Sequence, residues 1–285
     1  MKKPTLRGIV GCMNLKMLVR RAPTLGALLL LMLLLFGLGM IFAAPAAANT
    51  IDSRAILEPI DALVSYPNND FSAEYTITQQ RPGQGSSVTK AYMFRRDRED
   101  KYLILIQEPA VDRGKGYLKQ ADVLWLYDPV DRRFNSTSAR DRFQNSNARN
   151  SDFTSSTLAQ DYRIVAESRE QLGAFSTRVY EMEAIHDGVT FPKMRLWVDE
   201  DNLVRKFEDY SLSGQLMRTT AIPSYRHLGS DHYVPVQIVI EDALAGRTID
   251  GVFRRERTVI SVEKPSLRTL PDAVFTRQYL ERVSR

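Results

Sequence analysis

The chain has 285 residues, with 39 Lys and Arg against 34 Asp and Glu, which gives a formal net charge of +5 at pH 7. Six of the basic residues lie within the first 21 positions, so the remainder has 33 basic and 34 acidic residues and a net charge of −1. The basic balance therefore belongs to the amino-terminal segment and gives no support for nucleic-acid binding. The only cysteine, Cys12, lies in that segment too, which excludes disulfides and thiol chemistry from the remainder.

The first 48 residues have the pattern of a secretory leader. Basic residues come first, and the 20 residues Leu25–Ala44 are almost wholly apolar. The ending Pro45-Ala46-Ala47-Ala48 fits a small-residue cleavage site, which predicts a signal peptide over residues 1–48 and export of residues 49–285 to the periplasm. Because 20 apolar residues can just span a bilayer, an uncleaved signal anchor that tethers the protein to the inner membrane is the alternative.

Residues Ser53–Ser65 predict a helix, because the apolar residues Ile56, Leu57 and Ile60 recur at helical spacing. Asp52 or Ser53 can cap its start. Pro59 argues against a straight helix because it removes a hydrogen-bond donor in the middle of the run.

From Phe71 onward the apolar pattern has a period of two, which predicts strands. Turn signals rich in Gly, Asp and Asn separate them, so neighbouring strands should pair antiparallel. We predict one meandering, strongly curved sheet. The predicted strands are Phe71–Thr78, Val88–Arg95, Tyr102–Gln107, Val123–Tyr127, Ile164–Glu167, Arg178–Ile185, Lys193–Val198, Leu203–Tyr210, Leu216–Tyr225, Tyr233–Glu241 and Thr248–Val262.

One segment, Asn135–Asp161, interrupts the strand pattern. It is rich in Ser, Asn, Arg and Thr, and only Phe143, Phe153 and Leu158 are large and apolar. It is too polar for a core strand and predicts a long excursion with a short helix. Long excursions from compact domains are often functional, and a solvated surface loop is the alternative.

A series of short motifs follows a fixed order along residues 70–283. The motifs are Gly116-Tyr117-Leu118, Leu124-Trp125-Leu126-Tyr127-Asp128-Pro129, Arg132-Arg133, Ser151-Asp152-Phe153-Thr154, Pro192-Lys193-Met194-Arg195-Leu196-Trp197-Val198-Asp199, Tyr233-Val234-Pro235 and Tyr279-Leu280-Glu281. Together they resemble the outer-membrane lipoprotein-sorting protein family, which is similar to the periplasmic lipoprotein carrier LolA and its partner LolB. The resemblance implies a mainly β fold, a half-open, strongly curved antiparallel β-barrel with short helices covering the mouth, as a single domain over residues 49–285.

The resemblance also implies a periplasmic carrier that binds acyl chains of a lipoprotein or lipid in a hydrophobic cavity, for sorting to the outer membrane. Its partners would be an inner-membrane transporter or an outer-membrane receptor. The sequence has no clear counterpart of the carrier's functional arginine, so a lipid other than a lipoprotein stays open as the cargo. A non-carrier module that docks on an envelope transporter is the alternative.

An acyl chain needs a dry concave surface, and each buried methylene contributes about 0.8 kcal/mol. One face of each predicted strand would supply that surface. The same residues would equally suit the core of a closed barrel or sandwich. The predicted lining residues are Tyr75, Ile77, Leu103, Leu105, Trp125, Leu196, Val198, Phe207, Ile238 and Ile240.

Arginine binds phosphate in a bidentate manner, so arginines near the cavity mouth are candidates for contact with a lipid headgroup. Arg132, Arg133 and Arg142 are the headgroup candidates because they lie beside the polar excursion. The other arginine runs, Arg95–Arg98 and Arg254–Arg257, are interleaved with acids and are predicted to be solvated faces.

The sequence does not predict an enzyme. His186, His227 and His232 lack metal-ligand spacing, and no nucleophile elbow or P-loop is present. Ser230-Asp231-His232 contains suitable residue types, but neighbouring strand residues point to opposite faces, so a surface turn is predicted. We predict no catalysis, no metal and no cofactor.

Overall fold

The computed structural model describes residues 51–284, so the predicted leader over residues 1–48 lies outside the described residues. Helix α1 spans Ser53–Val64, as predicted, with Pro59 inside it. Asp52 caps the helix, because its carboxylate accepts a hydrogen bond from the Ala55 backbone N–H at 3.1 Å. Leu57 and Ile60 form its buried face.

Thirteen strands form one antiparallel sheet with the order β6-β5-β4-β3-β2-β1-β13-β12-β11-β10-β9-β8-β7. Two meanders, β1 to β6 and β7 to β13, are joined where β1 pairs with β13. The strands are β1 Phe71–Arg81, β2 Gly85–Arg96, β3 Lys101–Glu108, β4 Gly116–Gln120, β5 Val123–Asp128, β6 Arg133–Thr137, β7 Tyr162–Leu172, β8 Phe175–Ala184, β9 Lys193–Val198, β10 Val204–Tyr210, β11 Leu216–Gly229, β12 His232–Ile249 and β13 Val252–Ser266.

The predicted strands agree with the sheet except in three places. The short strands β4 and β6 have no predicted equivalent, and β6 takes in the first residues of the predicted excursion. The predicted break between the strands Tyr233–Glu241 and Thr248–Val262, assigned to a turn at Ala245-Gly246, is wrong, because β12 continues to Ile249 and the hairpin turns at Asp250 and Gly251, both with positive φ. Gly246 instead follows an irregularity in the pairing of β12 with β13.

The sheet is not closed. Strands β6 and β7 follow each other along the chain but lie at opposite edges of the sheet. Residues 138–161, here called the crossing segment, connect the two edges and include a 3-10 turn at Asn150–Phe153 and helix α2 at Leu158–Asp161. The predicted half-open antiparallel fold with short helices is confirmed.

The crossing segment packs on the concave side of the sheet and is not a solvated loop. Phe143 is fully buried, and its ring lies 4.7 Å from the ring of Tyr117 and 4.6 Å from that of Phe153. The backbone N–H of Asn147 donates to the Thr258 hydroxyl oxygen at 2.8 Å. A polar segment can lie there because the sheet supplies partners for its buried polar groups.

The convex side is covered near one end by helix α3, Arg277–Val283. Leu280 of this helix is fully buried and packs in one cluster with Leu103 and Leu118. Gly116 leaves room for this contact, since a Cβ atom there would lie 2.4 Å from a methyl carbon of Leu280 and would force that side chain to shift.

A buried ion pair joins the start of β1 to the carboxyl-terminal segment. Arg96 donates to both carboxylate oxygens of Asp70 at 2.9 Å and to the Leu270 carbonyl oxygen at 2.7 Å. Burial alone would raise the pKa of Asp70, but hydrogen bonds from Arg96, the Leu270 N–H and Arg98 outweigh it and hold that pKa below its ordinary value. The prediction that Arg95–Arg98 form a solvated face is wrong, because Arg96 is only 2% exposed.

Among the described residues, no helix combines the length and the apolar character needed to cross a membrane.

Replacing Arg96 by Met should lower the free energy of unfolding by about 3–5 kcal/mol, because the fully buried Asp70 loses its main partner. Chemical denaturation at pH 7 measures the change. The matched control is Arg54→Met, which breaks the exposed pair of Arg54 with Glu58 on α1 and should cost no more than about 0.5 kcal/mol. Equal losses in the two variants would contradict the structural role given to Arg96.

Candidate functional site

A cavity of about 780 Å³ remains on the concave side, between the crossing segment and the sheet. This volume lies within the range of about 300–1,000 Å³ that is usual for ligand sites. The crossing segment therefore fills only part of the hollow. The apolar residues that line the cavity are Val64, Tyr66, Pro67, Phe71, Tyr75, Ala139, Phe153, Leu158, Tyr162, Val189, Phe191, Met194, Phe207, Ile222, Val234, Pro235, Ile238, Ile240 and Ile260.

Strands β1, β12 and β13 supply part of the cavity wall. Ile238 of β12 lies directly opposite Ile260 of β13, and Ile240 lies two residues further along the same face. Tyr75 of β1 adds an aromatic ring whose centroid lies 6.0 Å from that of Phe153. Burial raises the pKa of Tyr75 to about 12, so its hydroxyl is neutral at pH 7. This part of the wall carries no formal charge.

A smaller pocket of about 180 Å³, here called the annex, lies under α1 and is almost entirely apolar. Val64 of α1, Phe207 of β10 and Ile222 of β11 line both the annex and the cavity. The two spaces are therefore neighbours. The other apolar residues of the annex are Ile60, Leu158, Met194, Leu196, Leu203, Val204, Tyr225 and Pro235.

A charged cluster forms another part of the wall. Arg218 of β11 donates to both carboxylate oxygens of Asp152, at 2.7 and 2.8 Å, and to Asp209 of β10 at 2.5 Å. Burial raises the pKa of Asp209 although Arg218 opposes this rise. Burial also acts against the charge on Arg218, but the two carboxylates raise its pKa overall, so the guanidinium stays charged. Since Asp152 belongs to the crossing segment, this cluster, here called the latch, fixes that segment to the sheet.

Arg95 ties three elements together at the cavity. Its guanidinium donates to the carbonyl oxygen of Val64 at 3.0 Å and to that of Thr154 at 3.2 Å, and it pairs with Asp97 at 2.6 Å. The same group lies 5.1 Å from the centre of the Tyr66 ring. This one guanidinium thus connects β2 with the end of α1 and with the crossing segment.

Seven of the ten predicted lining residues lie on the concave side of the sheet. Tyr75, Phe207, Ile238 and Ile240 line the cavity itself, and Leu196 lines the annex. Ile77 and Val198 are buried in the core and line neither the cavity nor the annex. Ile77 is part of the core cluster that contains Phe143, and Val198 is part of the cluster beneath α1.

The other three, Leu103, Leu105 and Trp125, lie on the convex face and do not line the cavity. Leu103 and Leu105 pack with Leu280 of α3, and the guanidinium of Arg277 lies 3.8 Å from the centre of the Trp125 ring. The residues that alternate with these three along β3 and β5 face the concave core instead. The physical reason is that β3 is buried on both faces. Its continuous apolar run therefore has no alternation that would indicate on which face of the sheet each side chain lies.

The three predicted headgroup arginines do not lie together. Arg132 and Arg133 are exposed at the β5–β6 turn and line none of the pockets described here, whereas Arg142 lines a separate pocket beside Arg218. The run Arg254–Arg257 is mostly exposed, as predicted. Arg95 and Arg218, two of the charged residues at the cavity, were not among the predicted site residues.

Some of the missed site residues carried a signal in the sequence. Phe71 belongs to the same alternation as Tyr75, and Phe153 is a rare aromatic residue in a polar segment. The pair of Arg218 and Asp152 carried none, because 66 positions separate the two residues.

Within residues 51–284, no group of three His, Cys, Asp or Glu side chains is arranged to hold a metal ion. His186 lies 3.0 Å from a carboxylate oxygen of Asp161 on the surface. Ser230 and Asp231 lie in the exposed β11–β12 turn, as predicted, with φ of 48° and 59°.

Comparison with known proteins gives one family and several solved structures. A family model described as "Uncharacterized protein" matches residues 98–282. A LolA superfamily protein from Nitrosomonas europaea is 27% identical, with a TM-score of 0.66, and the match covers 80% of this chain and 98% of that one. A domain described as an outer membrane lipoprotein-sorting protein from Vibrio parahaemolyticus is 20% identical, with a TM-score of 0.69 and coverage of 81% and 98%.

A DUF1329 family protein from Desulfovibrio piger is 18% identical, with a TM-score of 0.69 and coverage of 80% and 97%. A search of curated proteins gave no significant match. The predicted resemblance to the lipoprotein-sorting proteins is therefore confirmed, and the fold is LolA-like.

Replacing Arg218 by Met should release the crossing segment, because Asp152 loses its partner on the sheet. Limited trypsin digestion under native conditions should then cut after Arg140, Arg142 or Arg149 at a rate at least about tenfold higher. The matched control is Arg226→Met, an exposed arginine on the same strand, which should leave the rate unchanged. Equal cleavage rates in the Arg218 variant and the unmodified chain would show that the latch does not hold the segment.

Proposed function

This chain belongs to the family whose model matches residues 98–282 and has the LolA-like fold, and on that premise we propose that it binds the acyl chains of a lipoprotein or lipid in its concave cavity and carries them to the outer membrane. The single observation that carries the proposal is the remaining cavity of about 780 Å³, whose wall is apolar along strands β1, β12 and β13. A carrier must leave such a space, whereas a closed core fills it.

The energetics favour an acyl ligand. Each methylene buried in the cavity contributes about 0.8 kcal/mol, so burial of ten methylenes would supply about 8 kcal/mol before the cost of binding. The annex extends the apolar surface beneath α1, where Ile60 and Val64 meet Phe207. A chain that runs from the cavity toward α1 would contact mostly apolar side chains along this part of its length.

The proposal includes binding without catalysis and export to the periplasm. Two arginines at the cavity are engaged in structural contacts: Arg218 with Asp152 and Asp209, and Arg95 with Asp97 and backbone carbonyls. Export follows from the leader pattern in residues 1–48. The intact mass of the exported chain would distinguish a cleaved signal peptide from an uncleaved anchor.

The direct test is to purify the exported protein without detergent, extract it with organic solvent and analyse the extract by mass spectrometry. The carrier proposal expects phospholipid or acylated peptide in near-stoichiometric amount. An extract free of acyl chains, from protein that also fails to take up a fluorescent fatty acid, would contradict the proposal.

Replacing Ile238 by Trp should reduce acyl binding, because the larger side chain occupies space in the cavity. Loss of room for two methylenes corresponds to roughly a tenfold weaker affinity for a fluorescent fatty acid, measured by titration. The matched control is Val239→Trp, the next residue of β12, whose side chain lies on the other face of the sheet. Equal affinities in the two variants would place the ligand elsewhere.

A second candidate function rests on strand β7, the edge of the sheet. Its 11 residues pair only with β8, and most of its side chains are exposed. An edge of this kind can accept a strand from a partner, as an envelope interaction module would require. Lipid-free protein that co-purifies with a stable envelope partner, and loses it in the variant Val165→Pro, would favour this function over the carrier.

A further inference from the structure

A third pocket, of about 210 Å³, lies beside the cavity and is here called the arginine pocket. The crossing segment, β11, β12 and the loop between β8 and β9 form its walls. Its charged and polar residues are Arg142, Asn147, Arg149, Arg218 and Asp242. Arg218 and Phe191 line both this pocket and the cavity, so their side chains form the wall that the two spaces share.

The carboxylates around the arginine pocket already have partners. Asp242 accepts hydrogen bonds from the Arg142 guanidinium at 2.6 Å and from the backbone N–H groups of Leu244 and Ala245 at 2.8 and 2.9 Å. Asp152 is bound to Arg218 through both of its oxygens. These contacts leave little acceptor capacity for another cation.

Arg149 is the arginine of this pocket that forms no ion pair with these carboxylates. In the described part of the chain, no carboxylate lies within ion-pair distance of its guanidinium, which donates only to the Arg140 carbonyl oxygen and lies 5.3 Å from the centre of the Phe191 ring. Burial and the positive charges of Arg218 and Arg142 lower the pKa of Arg149, although the carboxylates of Asp152 and Asp242 act in the opposite direction. A half-buried guanidinium without an ion-pair partner favours the binding of an anion.

Asn147 adds a neutral donor to the same pocket. Its side-chain oxygen accepts a hydrogen bond from Arg142 at 3.0 Å. Its side-chain nitrogen is buried, and within residues 51–284 it has no acceptor, although the residue is only 5% exposed. A buried donor without an acceptor is unusual and costs stability unless a ligand supplies the acceptor.

We propose that the arginine pocket binds the phosphate group of a lipid whose acyl chains lie in the adjacent cavity. This inference rests on the proposed function for the acyl part of the ligand. Arg149 offers the planar fork that matches a phosphate, Asn147 offers an amide donor, and the shared wall of Arg218 and Phe191 places the headgroup beside the chains. Free phosphate has the same chemistry and is the other source of such an anion.

The experiment compares the binding of phosphatidylglycerol and of diacylglycerol with the same acyl chains. The unmodified protein should bind phosphatidylglycerol roughly tenfold or more tightly, because hydrogen bonds to a charged group are added. The variant Arg149→Gln should lose this preference and keep its affinity for diacylglycerol. The matched control, Arg169→Gln, changes an exposed arginine on β7 that lines none of the three pockets and should keep the preference.

If Arg149→Gln does not fold, the same lipid preference can be measured in the variant Arg149→Lys. It keeps the charge but lacks the planar fork, so its preference for phosphatidylglycerol should lie between those of the unmodified protein and Arg149→Gln. Equal affinity of the unmodified protein for the two lipids, or a preference that survives in Arg149→Gln, would overturn the proposal.

A titration with inorganic phosphate separates failure of this site from failure of the carrier function. If neither lipid binds, the acyl-carrier proposal fails, and with it the lipid source of the anion. A rise in Tm with phosphate over chloride at equal ionic strength, present in the unmodified protein and absent in Arg149→Gln, would then assign the pocket to free phosphate. No rise in either protein would show that the pocket binds no phosphate group.

Discussion

The fold depends on one constraint: the sheet pairs β1 with β13 but leaves β6 and β7 at opposite edges. The chain must cross from one edge to the other, and it does so over the concave side. This crossing places residues 138–161 where a closed barrel would have only core side chains. The cavity exists because the crossing segment covers the hollow incompletely, with Phe143 and Phe153 filling one part and the space beside Tyr75 left open.

A polar segment can occupy an apolar hollow only if its buried polar groups have partners. Here the sheet provides them, through Thr258 for the Asn147 backbone and through Arg218 for Asp152. Ionic anchoring of this kind gives specificity of position more than stability, because desolvation offsets much of the attraction between the charges. The same anchoring brings several arginines to one side of the cavity and leaves Arg149 without an ion-pair partner among the described residues. The residues that fix the crossing segment to the sheet therefore also line the inferred anion site.

The accuracy of the sequence predictions followed the strength of the local pattern. Alternation in β1 correctly assigned Tyr75 to the concave face, and the helical stripe with Leu57 and Ile60 correctly predicted α1. The pattern failed for Leu103, because a strand buried on both faces has no alternation to read. It also failed for Arg96, whose neighbours in sequence are charged although the residue is buried against Asp70, 26 positions away. Composition described the crossing segment correctly as polar, but composition does not record which surface lies beneath it.

By itself, the sequence determined most of the strands, the antiparallel meander and the family, because these depend on residue periodicity and on short motifs in a fixed order. Tertiary structure alone decided which face of a doubly buried strand points into the hollow, how much of the hollow the chain fills with its own residues, and which charges meet there. Contacts such as that of Arg218 with Asp152 join residues 66 positions apart. Such contacts form only when the curved sheet brings distant strands and the crossing segment together, so no local pattern can encode them.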